Sequence, residues 1–245
     1  MGLFDHLDEL RKRIVTSLIA FIVAFLGCWT FKEPIYGFLE QPIKPYLEGE
    51  KLAFLGVTDA FMIYVKVAAL AAVFASSPFI LFQVWRFVAP GLYKRERRLA
   101  IPFILSGSLL FISGGAFAYY IAFPFAVEFL LGMGAQFQAM ITVTRYLSFL
   151  MTVMLGLGLM FELPTVIFFF ARLGLVTPGF LMRKFRWAVL IIFIVAAIIT
   201  PTPDVVNLCI FALPTIGLYL VGVGVAALFG RPSPAEALDA EPEPE

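Results

Sequence analysis

The carboxylates are the side chains whose positions need explaining in this sequence, because its long apolar stretches leave little room for charge. Glu162 stands inside "MFELPTVIFFF". A charged group at such depth in a membrane costs about 3 kcal/mol on insertion scales, and intramembrane carboxylates face a bundle interior or a wet cavity. Two readings are open for it: a functional carboxylate, or a protonated structural one bonded to a neighbouring helix, with Pro164 freeing a carbonyl nearby. Asp204 in "TPTPD" has two readings as well, as an N-cap for the helix that follows or as a functional group. Glu9 in "FDHLDELRKR" and Glu96 in "LYKRERR" sit among cations. Self-neutralisation explains them if Glu9 reaches Arg13 one turn on and Glu96 pairs with its neighbours, each pair contributing only tenths of a kcal/mol. Alternatively they receive guanidinium groups from another molecule, since a carboxylate accepts arginine bidentately in a strong, charge-assisted pair.

Enzyme chemistry finds no machinery. The one histidine, His6, precedes the first apolar run, and no G-x-S-x-G elbow, H-E-x-x-H zinc motif or G-x-x-x-x-G-K-[ST] phosphate loop occurs. The glycines of "LGLGLMF" (Leu155 to Phe161) read as small residues that let helices approach closely. Cys28 and Cys209 lie far apart in separate apolar runs, without the spacing of a metal site or redox pair. No enzymatic activity, cofactor, metal or nucleic-acid partner is expected.

The elements that must position these groups follow from composition. With 61% hydrophobic and 14% charged residues and a mean hydropathy of +0.95, the chain is a polytopic membrane protein. Six apolar segments run approximately over Ile14 to Phe31, Ala60 to Val84, Leu99 to Phe123, Tyr146 to Phe170, Trp187 to Thr200 and Val205 to Phe229. Each is continuously apolar, without period-two alternation, so the expected fold class is all-α rather than a barrel. The first four are long enough to cross about 30 Å of hydrocarbon. The fifth holds only 14 residues, about 21 Å of helix. Pro214 is expected to bend or shorten the sixth, and a short final pair predicts a thinned bilayer or a wet recess.

Thirteen of the 18 Lys and Arg residues fall on the side shared by the termini and the even-numbered connections. The bias puts both termini in the cytoplasm. Lys32, Lys44, Lys51, Lys66 and Arg145 make up the external set. The first external connection, roughly 32–58, is proline-rich and partly apolar, and should pack as a cap. The second, near Pro124 to Arg145, should add another. Residues 231–245, "RPSPAEALDAEPEPE", read as a disordered acidic tail. The "FLGC" at Phe25 to Cys28 is rejected as a lipoprotein processing signal, because acidic residues and five further apolar segments accompany it. No internal repeat marks an inverted-repeat transporter.

"HLDELRKRI" (His6 to Ile14), "TDAF" (Thr58 to Phe61), "SSPFILFQVWRFVAPGLYKRERR" (Ser76 to Arg98), "FELP" (Phe161 to Pro164) and "TPTPD" (Thr200 to Asp204) resemble, in order and spacing, the TatC family of twin-arginine protein translocases. The resemblance covers the chain up to Phe229. It implies six transmembrane helices in a cupped, concave bundle with short fifth and sixth helices, in a bacterial-type cytoplasmic membrane. It implies a receptor for signal peptides with consecutive arginines that self-associates and works with TatA and TatB partners to export folded proteins on the proton motive force. By motif position, Glu9 and Glu96 would contact the signal arginines, with Arg11 and Phe87 supporting that surface. Glu162 would lie on the concave face where a partner helix docks, and Pro42 and Asp204 match other sensitive family positions. Two positions depart from the family pattern. Leu208 stands where many relatives carry Gln, beside Asn207, and Leu220 replaces an acidic residue in an "LYE" or "LFE" context; both bear on partner docking along the sixth segment. The rival functions are a proton-coupled small-solute transporter relaying through Glu162, or a structural scaffold for other membrane subunits.

Overall fold

A computed structural model describes residues 3–47, 51–88, 100–134, 136, 140–200 and 204–230. Glu96 with its flanking cations, residues 201–203 of "TPTPD" and residues 231–245 lie outside the described residues. Among those described, secondary structure is almost entirely helical, with one isolated bridge in place of any strand. Five helical runs are long and apolar enough to cross a membrane: Leu7–Thr30, Asp59–Phe87, Ile101–Met133, Val143–Arg172 and Val205–Phe229. A sixth apolar helix, Phe185–Ile199, has 15 residues, about 22 Å. The chain divides into two compact units, Met1–Gly158 and Leu159–Glu245.

In the first unit, α1 (Leu3–Thr30) and α3 (Asp59–Val88) pack antiparallel. Trp29 meets Phe61 edge-on at 5.9 Å at one end, and Arg13 reaches Gln83 at the other. Pro78 lies within α3, where it cannot donate to the carbonyl of Phe74 four residues back. The Ser77 hydroxyl supplies that missing donor at 2.8 Å, so a helix with an internal proline keeps its backbone satisfied. Helix α4 (Ala100–Phe117) stacks back on α3 through Phe74 against Phe111 and Trp85 against Phe103, 4.9 and 4.8 Å between ring centres. Gly115 permits the approach, for a Cβ there would stand 2.4 Å from the Phe74 ring.

Helix α4 does not end before Pro124, where the sequence suggests an external connection. It passes through a π-helical turn, Ala118–Ala122, into α5 (Phe123–Met133). Pro124 falls in the first turn of α5, where its missing N–H costs least, and the wider π turn accommodates a ring that an α turn would press against the Tyr120 carbonyl. The expected second cap is therefore largely an extension of the third span.

The connection between α1 and α3, expected to be external, does pack as a cap. It folds into α2 (Lys32–Leu39) and a 3-10 turn over Gln41–Tyr46 with Pro42 as its second residue. Leu39 and Ile43 are buried beneath it. The Tyr119 hydroxyl donates to the carbonyl of Phe38 at 2.5 Å, and the Tyr146 hydroxyl to that of Leu39 at 2.6 Å. Ala53 exchanges backbone hydrogen bonds with the strand-like segment at Ile141 and Val143, at 3.1 and 2.9 Å, tying the connection before α3 to the one after α5. Burial and the hydrogen bond to Glu40 push the Tyr36 phenol well above its ordinary range, so it stays a neutral donor in the cap.

The second unit takes the end of α6 (Val143–Phe161) and then α7 (Leu163–Arg172), α8 (Pro178–Arg183), α9 (Phe185–Ile199) and α10 (Val205–Phe229). The expected shortening at Pro214 is not seen: α10 runs through it for 25 residues, about 37 Å. One lost hydrogen bond does not stop a helix packed on a neighbour. That neighbour is α7, whose Ile167 lies where a Cβ on Gly222 would come to 2.5 Å.

Candidate functional site

Glu9 sits on the face of α1 that meets α3. Arg13, one turn on, donates from Nη2 to Glu9 Oε1 at 3.0 Å, and from Nη1 to Gln83 Oε1 at 3.4 Å. The neutralising i,i+4 pair expected from the sequence is therefore formed. Gln83 is 3% exposed and was legible only as a rare polar residue in a span; its place opposite Arg13 gives it a role in holding this site. Antiparallel packing sets Phe87, one turn beyond Gln83, level with Glu9. Arg11 is exposed on the other face of α1, in a shallow depression lined by Asp8, Lys12, Val15 and Thr16. The structure thus brings Glu9, Arg13, Gln83 and Phe87 to one end of the α1 and α3 pair and leaves Arg11 turned away from them, because residues two apart on a helix point to opposite sides.

Lys66, counted with the external cations, falls inside the Ala60 to Val84 apolar segment of the sequence. In the structure it lies within α3, seven residues past Asp59, about 10 Å along the helix. Its ammonium donates to Ser148 Oγ on α6 at 2.8 Å. A lysine flanked by apolar residues on both sides was the signal for this.

In the second unit, Glu162 is the joint between α6 and α7, with Pro164 in the first turn of α7. The break is the one Pro164 demands, since it cannot donate to the Met160 carbonyl. Glu162 is ten residues from Arg172, the end of that span, or about 15 Å. Its Oε1 is buried without a hydrogen-bond partner among the described residues, and so is the hydroxyl of Thr165, itself 5% exposed. Of the two readings, the bonded structural carboxylate is not seen at Oε1. The two side chains, three residues apart, interact with each other but close no well-formed hydrogen bond, so an incoming hydrogen-bonding group would complete both.

Asp204 caps α10: its Oδ1 accepts from the Asn207 N–H at 2.7 Å and its Oδ2 from the Asn207 side-chain amide at 2.9 Å. Asn207 is buried by that pairing. Thr177 caps α8 in the same way, accepting from Phe180 N–H. Leu208 is half-buried and Leu220 exposed on α10. Cys28 and Cys209 are both free.

Residues 5–214 match the profile of the family described as TatC, Sec-independent protein translocase protein. A Sec-independent protein translocase protein TatC of Koribacter versatilis is 46% identical over 232 residues, covering 93% of this chain and 86% of the relative. The like-named protein of Helicobacter pylori strain J99 is 42% identical, covering 94% and 90%. The crystal structure of a twin-arginine translocase receptor TatC superposes with a TM-score of 0.80 at 34% identity, over 92% of this chain and all of that one. With a family profile spanning most of its length, motifs in matching order and the helical membrane fold to go with them, the chain belongs to the TatC family of Sec-independent protein translocases.

Proposed function

We propose that this translocase component receives twin-arginine signal peptides at the end of α1 and α3 where Glu9, Gln83 and Phe87 meet, with Glu96 as the second acidic point. Counting Phe185–Ile199 as a span makes the number even, and the cation bias then puts this end and both termini in the cytoplasm of a bacterial-type cell, with the protein in its inner membrane. The observation that carries the reading is the state of Glu9: its bond to Arg13 is a single contact within one helix, at the edge of the protein. Such pairs contribute at most about 1 kcal/mol. A signal-peptide guanidinium offering two parallel bonds displaces one monodentate partner at little cost. Phe87 at the same level supplies an apolar wall for the residues that flank the arginines.

Glu162 and Thr165 form the docking point for a polar side chain on a single-span partner of the TatA or TatB type. The supporting observation is the pair of buried unsatisfied oxygens, which a partner's donor completes. Export of folded cargo on the proton motive force, and self-association into a multi-subunit receptor, follow from this role. Pro42, near the start of the 3-10 turn of the external cap, and Asp204, which caps α10, hold the scaffold; their effect on function is through it.

A photo-crosslinker at position 9 or 96, challenged with precursors carrying Arg-Arg or Lys-Lys, tests the receptor site. Adducts are expected with Arg-Arg and a strong loss with Lys-Lys, since an ammonium cannot reproduce the guanidinium fork. Equal adducts would sink the assignment. Glu162→Gln tests the docking point: full export by that variant would show that neither its charge nor its titration is used.

A further inference from the structure

The second unit contains a step. The end of α10 is level with the end of α7, where Phe168 meets Phe229 edge-on at 6.1 Å and the Arg172 guanidinium lies over Phe168 at 5.9 Å. The corner between α8 and α9 meets α10 much earlier. The Tyr219 hydroxyl donates to the Leu181 carbonyl at 2.8 Å and its ring lies 6.0 Å from that of Phe185. Tyr219 is ten residues before Phe229, about 15 Å along the helix. Those ten residues, "LVGVGVAALF" after Tyr219, carry no polar side chain and several are exposed, so they belong in hydrocarbon. Arg183, Lys184 and Arg186 are exposed at the corner, at the foot of that apolar wall.

No carboxylate lies between Glu162 and Asp204, so this corner, unlike the N-terminal segment and the Glu96 cluster, has no acidic residue of its own to neutralise it. Around the cations, Phe180, Met182 and Trp187 are exposed as well, Trp187 by 62%. The platform is firm: Thr177 caps α8, Leu181 is buried, and Tyr219 fastens its carbonyl.

We propose that the α8–α9 corner binds the phosphate of an anionic phospholipid, drawn into the step between α9 and the end of α10. Arg183, Lys184 and Arg186 hold the headgroup, and Trp187 with the exposed flank of α10 beds the acyl chains. Unpaired cations at hydrocarbon depth are costly, an apolar helix end in water is costly too, and an indrawn headgroup relieves both. A neutral lipid brings no charge to do so.

The test uses the full-length chain in nanodiscs of phosphatidylcholine with a minor fraction of brominated phosphatidylglycerol or brominated phosphatidylcholine. Trp29→Phe and Trp85→Phe leave Trp187 as the sole indole. Quenching of Trp187 should show about fivefold preference for the anionic lipid, falling towards parity in Arg183→Gln/Lys184→Gln/Arg186→Gln. Arg183→Lys/Arg186→Lys should keep most of the preference, and it decides the matter if the neutralised variant fails to insert. Equal quenching by the two lipids, or a preference that survives neutralisation, overturns the proposal. So does loss of the preference to inorganic phosphate at constant ionic strength, which makes the site one for free anions. A preference that emerges only on deletion of residues 231–245 overturns it in favour of the acidic tail. Nanodiscs present both leaflets, so a wrong orientation of the protein would not mimic failure of the site.

Discussion

The two ends of the α1 and α3 pair are held in different ways. At the Trp29 and Phe61 end, contacts join residues far apart in sequence: Tyr146 to Leu39, Tyr119 to Phe38, Ala53 to Ile141 and Val143. Most involve backbone carbonyls, and their donors are buried phenols or peptide groups. At the Arg13 and Gln83 end, the contacts are side chain to side chain, and the carboxylate's partner comes from its own helix. A buried backbone carbonyl that loses its donor bears the full cost of desolvation, whereas an edge ion pair exchanges one partner for another with little loss. The first end is a fixed platform and the second an exchangeable surface, which is what the proposed signal-peptide site requires.

That contrast can be broken. Replacing both Glu9 and Glu96 by Ala should weaken binding of an Arg-Arg peptide about a hundredfold or more, if each accepts a charge-assisted bond worth about 1.5 to 3 kcal/mol. Titration of a labelled peptide against the reconstituted chain measures this. Unchanged affinity would show the exchangeable end is not the binding surface. At the platform, Tyr146→Phe leaves the Leu39 carbonyl without its donor and should destabilise the fold by about 1 to 3 kcal/mol. Gly115→Ala, which drives a methyl into the Phe74 ring, should cost a similar 1 to 3 kcal/mol, roughly the usual range for overpacking. Chemical or thermal unfolding in detergent reads both, and neither should selectively lose the Arg-Arg over Lys-Lys preference.

Arg13→Gln sharpens the comparison with the smallest effect. It should change stability by less than about 1 kcal/mol, and by freeing Glu9 it should strengthen Arg-Arg peptide binding about two- to fivefold. Weaker binding in that variant would mean Arg13 positions Glu9 for the ligand rather than competing with it.

Local chemistry was legible wherever a residue acts on its own turn. Asp204 and Thr177 cap the helices they precede, Pro164 interrupts the span it enters, and Glu9 meets Arg13 at i,i+4. Where a neighbour decides, the sequence misled. Pro124 reads as a boundary, but a π turn carries the helix through it; Pro214 is expected to bend or shorten its helix, and the shortening is absent because α10 runs on, packed against α7. Lys66 was legible as a cation inside an apolar segment, but its partner Ser148 on another helix was not.

Sequence alone determined the class of this protein, because continuous apolar length leaves a chain only helices with which to satisfy its backbone in lipid, and the ordered motifs of its polar segments carry the family resemblance. It also marked Glu9 and Glu162 as carboxylates that need a reason. Only tertiary structure decided what surrounds those two: Gln83 of α3 against the Arg13 that pairs with Glu9, and for Glu162 a buried oxygen that no facing helix satisfies among the described residues. Hydrogen-bond satisfaction inside a membrane depends on what the facing helix presents, and no spacing along one strand of sequence records that.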